Sequence, residues 1–412
     1  MLELLISITW LLTFEKGWHM DSKDCKLRVL HAADFHLGSP FAALSASKTA
    51  IRQGEQRAAF RAVIDMCRKE KTQLLLLAGD LLDQLRFPAE QMRSLIDSFA
   101  GIPDTVVVIS PGNHDPYTQD SPYAKQVWPS NVHIFTGEFS SFYFPEIGTA
   151  VWGTAFTGIR AVRTLCPPLF SVHTSDYPAD TIHIVLVHGE IAETYAEKHF
   201  YNPILREWIA QSGADYVALG HVHDKSGLCK AGNTFYAYPG CPEARGFDEP
   251  GPRGVYLGTI AKGDAHMSFI PVNQRSYYCP EIWVENINTQ QQLEDKVLSY
   301  LRSEYGEDYT HDAYRITLAG ALPPDFTPNL TSLHDRLSST VFAVRIKDNT
   351  KSFSNPDELR REISLRGVFA ELLLARIEAA RSSGDTEHIS EYEQALTLGL
   401  RAFEGEVTYS ED

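Results

Sequence analysis

Five apolar runs in this 412-residue chain each end in a short motif of carboxylates, imidazoles and glycines. Leu27–Ala32 leads to Asp34-Phe35-His36, and Leu74–Ala78 leads to Gly79-Asp80-Leu81-Leu82-Asp83. Thr105–Ile109 leads to Gly112-Asn113-His114-Asp115, Thr181–Val187 to His188-Gly189, and Tyr216–Leu219 to Gly220-His221-Val222-His223. Short continuous runs of valine, isoleucine and leucine read as strands buried on both faces. Helical patterns separate them over Ile51–Lys69, Pro88–Phe99 and Pro203–Gln211. Alternating strands and helices predict an α/β domain, and α/β sheets build their sites at the carboxyl ends of strands. Five coincidences of motif and strand end therefore predict one convergent site.

The residue types at that site are those of a metal centre. Aspartate, histidine and asparagine offer oxygen and nitrogen donors to hard or borderline divalent cations. Asp34 and His36 lie two apart, so both can lean into one cleft as the chain leaves its strand. Asp80 follows Gly79, which lets the backbone turn closely. A carboxylate has two oxygens, and Asp80 is the expected bridge between two ions. Asp34, His36, Asp80 and His223 are assigned to one metal, and Asp80, Asn113, His188 and His221 to the other. Two such ions activate a hydroxide and hold phosphoryl oxygens during in-line displacement. His114 adjoins a ligand without being one, so it is assigned to stabilise or protonate the leaving group, with Asp115 expected to orient it. Each residue alone would more readily be structural. That bland reading is kept for the other histidines, including His31, which is expected to be a satisfied strand residue.

Composition limits the partners. A formal net charge of −16 does not suit a general nucleic-acid coat, so DNA binding would need a local basic surface. Six cysteines without a C-x-x-C pair fit a reduced, cytoplasmic protein. The apolar run Leu2–Phe14 is too short for a membrane span, which needs about 20 residues, and no membrane association is expected. Met20 is the expected start, with residues 1–19 an extension; a helix packed on the domain is the other reading.

Beyond about Pro271 the metal-ligand spacings stop. Tyr277–Val284, Tyr314–Leu318 and Val341–Ile346 read as strands, with helices over Gln291–Glu304 and Leu330–Leu337. Asn355-Pro356-Asp357-Glu358 reads as a helix start. That helix runs to about Arg381, and a second carries Ile389, Tyr392, Leu396, Leu400 and Phe403 on one stripe. The resulting hairpin either packs on its own domain or docks a partner helix through residues such as Phe369 and Leu373.

The set D-x-H, G-D-x-x-D, G-N-H-D, H-G and G-H-x-H resembles the calcineurin-like metallophosphoesterases over roughly Leu27 to Ile270. Leu30 to Gly38 with Ser39-Pro40-Phe41, Gly213 to His223, and Tyr238-Pro239-Gly240-Cys241-Pro242 with Arg245, Phe247 and Glu249 are similar to the SbcD-type DNA repair exonucleases, especially the YhaO-like group. The resemblance implies a four-layer α/β/β/α sandwich of two facing sheets flanked by helices, a small α/β cap domain and a C-terminal helical hairpin. It also implies manganese as the metal, and a tail that binds the coiled-coil base of an SbcC-type, SMC-like ATPase. Gln84-Leu85 and Asp115 stand where protein phosphatases carry Arg-Gly and Glu, which argues against that activity. Asp83 stands where some nucleases of this group carry histidine.

The expected domains are an N-terminal extension over 1–23, the metallophosphoesterase domain over 24–270, the cap over 271–350 and the helical tail over 351–412. The expected function is a two-metal-dependent DNA nuclease, an exonuclease or endonuclease, acting in DNA repair with the ATPase. A small-substrate phosphodiesterase acting on nucleotides, or an ATPase-recruiting scaffold, are the other readings. The Pro88–Phe99 helix is the expected contact of a homodimer.

Overall fold

The computed structural model describes residues 26–161, 164–166, 172–194, 201–323, 326–352 and 356–403. The readings of the N-terminal extension and of the Asn355 cap lie outside the described residues. The chain divides into two compact units, ending and starting at Tyr277 and Tyr278.

The first unit begins with β1 (Leu27–Ala32), β2 (Leu74–Leu77) and β3 (Val106–Ile109), followed by β4 (Val132–Ile134), β5 (Ser140–Phe144) and β6 (Thr149–Gly153). Then come β7 (Ile182–His188), β8 (Glu190–Ala192), β9 (Pro203–Leu205) and β10 (Tyr216–Gly220). It closes with β11 (Cys229–Ala231), β12 (Thr234–Ala237), β13 (Gly254–Ala261) and β14 (Asp264–Pro271). One six-stranded sheet has the order β14-β13-β1-β2-β3-β4, the other β11-β12-β10-β7-β6-β5. β1, β2, β3 and β4 pair in parallel, and so do β6, β7, β10 and β12. The two central parallel runs therefore point their carboxyl ends into loops that can share one site.

Side-chain alternation explains the layers. In β2, Leu75 and Leu77 join a core with Phe60 and Val63 of the helix Ala46–Lys69 and Leu95 and Phe99 of the helix Ala89–Ala100. Leu74 and Leu76 point the other way, into a core shared with Val151, Ile184 and Ala218 of the second sheet. The outer face of that sheet packs Val185, Val217 and Leu219 against Ile209 of the helix Arg206–Gln211. The order is helix, sheet, sheet, helix: a four-layer α/β/β/α sandwich. His31, fully buried on β1, ties the sheets together: its Nδ1 lies 3.0 Å from Tyr216 Oη and its Nε2 3.1 Å from the Leu219 carbonyl.

The second unit has its own core. Glu281–Trp283, Ala313–Ala319 and Ala343–Asp348 form parallel pairs, and Leu293, Val297, Leu333 and Leu337 of two helices cover them. The C-terminal helices follow.

Four expectations need correction. Pro203–Gln211 is helical only from Arg206; Pro203–Leu205 pairs in parallel with β8. Tyr277–Val284 is not one strand, because Cys279 and Pro280 separate Tyr277–Tyr278 from Glu281–Trp283 and proline cannot donate to a ladder. The first tail helix is two: Pro356–Arg361, then Leu365–Ser383, with Ser364 accepting from Gly367 N as a new N-cap. Finally, Phe369 is not a free docking residue. It packs on Phe403, ring centroids 5.7 Å apart, and against Gly399 of the helix Thr386–Phe403. The large exposed apolar residues here are Ile363, in the break between the two helices, and Leu365, Val368 and Leu372 of the second. The Ala89–Ala100 helix turns Met92, Leu95 and Phe99 into the core.

Candidate metal centre

Sharp backbone turns bring the motif residues to the strand ends. Asp34 and His36 after β1, Asp80 after β2 and His221 after β10 all have positive φ, at 54°, 46°, 50° and 98°. Side-chain-bearing residues rarely adopt this region, and such strain gathers at functional sites. Main-chain bonds hold it: Asp34 N donates to the Gly79 carbonyl at 3.0 Å and His36 N to the Asp80 carbonyl at 2.9 Å. Two glycines make the space. A Cβ on Gly79 would enter the His188 ring, and one on Gly112 would enter the Asp80 carboxylate.

The side chains converge with ring nitrogens and carboxylate oxygens facing one another. His36 Nε2 and His223 Nε2 lie 3.2 Å apart. The Nδ1 atom of each faces a carboxylate: His223 Nδ1 lies 2.6 Å from Glu249 Oε1, and His36 Nδ1 3.2 Å from Asp83 Oδ1. The latter is a charge contact off the hydrogen-bond line. A proton on each Nδ1 leaves both Nε2 atoms as acceptors, and Asp34 Oδ1 lies 3.9 Å from His223 Nε2. Two acceptors at that distance repel unless a cation sits between them. On the other side His188 Nδ1 lies 2.8 Å from the Ala78 carbonyl, which fixes that proton as well. Its Nε2 then faces Asn113 Oδ1 at 3.0 Å and Asp80 Oδ2 at 3.4 Å. Asp80 Oδ2 is also 3.6 Å from His36 Nε2, so it reaches both clusters. The donor set fits two divalent cations, with Asp80 between them.

Electrostatics agree with this arrangement. Burial pushes the Asp34 carboxyl up, with His188 and His223 opposing. At Asp80 burial is outweighed by His188 and His36, and the carboxyl is held well below its ordinary range. His188, fully buried, is raised because the Asp80 and Asp34 charges outweigh desolvation. The field that favours an imidazolium there also draws a dication. His36 is lowered to about 4, chiefly by burial, and His221 likewise, by burial and the His188 charge.

The structure brings Asp34, His36, Asp80, Asn113, His188 and His223 together. His221 joins through its ring, 5.2 Å from the His188 ring, and its main-chain N donates to both Asp34 oxygens. His114 stands beside them with its side chain 41% exposed; its N donates to Asp80 Oδ1 at 2.9 Å and its ring lies 4.7 Å from that of His36. Asp115 does not orient it. That carboxylate is fully buried and accepts from Leu82 N, Gly112 N and Tyr123 Oη at 2.9, 2.8 and 2.6 Å. It is a fixture of the Gly112–Asp115 loop, and the residue against His114 is Asp83, whose carbonyl lies 3.1 Å from His114 Nδ1.

Residues that motif spacing passed over complete the site. Tyr201 packs on His221, ring centroids 4.7 Å apart, and buried Asn202 donates to the His188 carbonyl at 2.8 Å. Arg253 donates to the His223 carbonyl at 2.5 Å and to Glu249 O at 3.2 Å. No local periodicity marks these loop residues.

The profile of the calcineurin-like phosphoesterases matches residues 27–225. The metallophosphoesterase YhaO of Bacillus subtilis strain 168 is 31% identical over 255 residues, 59% of this chain and 60% of that protein. The DNA double-strand break repair protein Mre11 of Aeropyrum pernix is 26% identical over 62% of this chain and 63% of its own length. The SbcD protein of the nuclease SbcCD of B. subtilis is 25% identical over 55% of this chain and 64% of its own length. The match thus spans 60 to 64% of these three relatives.

Proposed function

We propose, from the premise that this chain belongs through residues 27–225 to the calcineurin-like phosphoesterases, that it is a two-metal phosphodiesterase acting on DNA. The observation that carries the reading is the close convergence of donor atoms, His36 Nε2 3.2 Å from His223 Nε2 and His188 Nε2 3.0 Å from Asn113 Oδ1, with Asp80 Oδ2 in reach of both clusters. Asp34, His36, Asp80 and His223 would hold one ion, and Asp80, Asn113, His188 and His221 the other. Manganese suits this set of oxygens and imidazoles without thiolate. Bound there, two divalent ions supply positive charge against the phosphoryl oxygens and acidify the attacking water.

The protein's own groups do the rest. Asp80 holds the His114 main chain at 2.9 Å and so fixes the imidazole at the mouth of the cluster. His114, partly open to solvent, delivers a proton to the leaving oxygen. Asp83 stands behind both His36 and His114, 3.2 and 3.9 Å from their Nδ1 atoms. The main-chain bonds that hold the strained turns at Asp34 and His36 keep these groups in place before substrate arrives.

DNA as substrate rests on the relatives that carry nuclease and break-repair names. With a net charge of −16 the chain is helped by a partner in holding a duplex. An SbcC-type ATPase fits that need, docking on the exposed strip Ile363, Leu365, Val368 and Leu372. A cytoplasmic setting goes with this reading, and among the described residues no helix is long and apolar enough to cross a membrane. The second reading, a phosphodiesterase for nucleotides, uses the same centre without the partner. One experiment separates them: purified protein with Mn²⁺ on labelled duplex DNA, single-stranded DNA and cyclic nucleotides, with and without the ATPase. Turnover of DNA that the ATPase stimulates is the expected result. Turnover of nucleotides alone selects the second reading, and full turnover in chelator removes both.

A further inference from the structure

We infer that Arg245 and Glu249 form a positioning clamp that sets the affinity of one metal position, the one of Asp34, His36 and His223, and leaves the other largely untouched. The inference rests on the two-metal reading above and assigns a role to residues that reading does not use. Neither residue is a ligand in it.

The geometry is a bridge behind two imidazoles. Glu249 Oε1 lies 2.6 Å from His223 Nδ1, a distance that requires a proton between them. Asp83 Oδ1 faces His36 Nδ1 at 3.2 Å. The two carboxylates come from loops far apart in sequence, and Arg245 spans them. Its Nη1 lies 3.4 Å from Asp83 Oδ1, and its Nη2 and Nε lie 3.3 and 3.4 Å from Glu249 Oε1. Its main-chain N donates to the other Glu249 oxygen at 2.6 Å. Nη2 also lies 3.2 Å from His223 Nδ1, so the guanidinium lies along the imidazole's protonated edge. One guanidinium fork thus holds both carboxylates in place, each against the Nδ1 edge of an imidazole of the first position.

The clamp is itself held rigid. Fully buried Arg52 donates to Glu243 Oε1 and to the Ala244 carbonyl, both at 2.6 Å, and its guanidinium lies 5.5 Å from the centroids of Phe41 and Tyr277. Arg253 fastens the other end through Glu249 O and the Pro250 carbonyl at 3.2 and 2.8 Å. A fixed second layer is what keeps ligands within the narrow tolerance a metal demands. The other position is built differently. His188 Nδ1 is oriented by the Ala78 main-chain carbonyl, and neither Arg245 nor Glu249 contacts it. Loosening the clamp should therefore be felt on one side only.

The test is Mn²⁺ titration of full-length wild type, Glu249→Gln and Arg245→Met by calorimetry, with the electron paramagnetic resonance spectrum recorded at each step. Loss of an outer-shell partner typically weakens metal affinity about 10–100-fold. The expected result is two Mn²⁺ per chain in wild type with a spin-coupled spectrum. Each variant keeps one site at wild-type affinity and loses about 10–100-fold at the other, so single-ion signals persist at concentrations that fill both wild-type sites. Arg245→Lys, which keeps the charge but cannot span both carboxylates, should fall between. Two unchanged sites in both variants, or equal weakening of both sites, overturns the clamp while leaving the two-metal reading intact. Failure of wild type to bind two ions overturns that reading and the clamp with it. Thermal melts in chelator identify a variant that has merely failed to fold, and a partly unfolded chain would lose both sites together.

Discussion

At the scale of single residues, the centre is a set of buried carboxylates and imidazoles held together by strained turns. Asp34, His36 and Asp80 are all buried, with relative exposures of 1–2%, and three of the four strained positions carry ligands of the proposed first metal or its bridge. His114 differs from them in being exposed and in touching the cluster mainly through its main chain. His114→Leu is therefore expected to keep full Mn²⁺ content and lose about 10²–10⁴-fold in turnover, the usual contribution of a general acid. Metal analysis beside a rate measurement checks it: a parallel fall in metal would make His114 a ligand. Asp115 marks the limit of reading by adjacency. It follows His114 in sequence, yet its carboxylate turns into the loop and bonds Gly112, Leu82 and Tyr123.

At the scale of elements, β1 is the piece on which the sandwich and the centre both depend. Its His31 bonds β10 through Tyr216 and Leu219, and the same strand delivers Asp34 and His36. The Leu219 carbonyl only accepts, so Nε2 carries the proton and Nδ1 takes the Tyr216 hydroxyl. Burial lowers His31 from 6.5 to about 3, so the unfolded chain binds a proton there that the folded chain refuses. Stability linked to His31 is present above pH 6.5 and is lost as pH falls toward 3. In chelator, denaturant titrations of wild type between about pH 7 and 4.5 should lose stability more steeply than those of His31→Gln, by about one proton per molecule. Equal slopes would show that the imidazole is charged in the fold. The tail hairpin gives a second prediction. Phe369→Ala opens the contact with Gly399 and Phe403 and should destabilise the hairpin by about 3–5 kcal/mol if the site were fully buried, and by less here, where it is half-buried. Leu372→Glu, on an exposed position, should change stability by no more than about 0.5 kcal/mol and abolish ATPase docking. Calorimetry and co-purification separate the two substitutions.

At the scale of the whole molecule, every proposed ligand and the clamp behind it belong to the first unit, which ends at Tyr277. The second unit has a separate core of Ile282, Val297, Ile316 and Leu333, among others. A chain ending after Tyr277 should therefore fold, bind two Mn²⁺ and hydrolyse a small chromogenic phosphodiester at close to the full-length rate. Its work on duplex DNA should fall, because the surface proposed to hold the ATPase has gone. Loss of the chromogenic activity with retained metal would mean that the second unit contributes to catalysis itself.

The sequence by itself determined the ordered strands β1, β2, β3, β7 and β10 and the motifs that follow them, because an apolar run and its adjacent turn are local properties of the chain. That locality also brought the candidate ligands to one place, since parallel strands in two facing sheets end on the same side. It left β4 to β6 and β11 to β14 unread: β4, β5, β11 and β14 are short or half-exposed, and the buried β6 and β13 are followed by no ligand motif. Only the tertiary structure decided what stands behind the ligands. Arg245 reaches Asp83 across 162 residues and Glu249 reaches His223 across 26, through loop geometry that no periodicity encodes. It also decided that Asp115 faces inward and that Phe369 lies inside its hairpin. In both cases the direction of a side chain depends on which neighbour fills the space beside it, and that neighbour is set by packing.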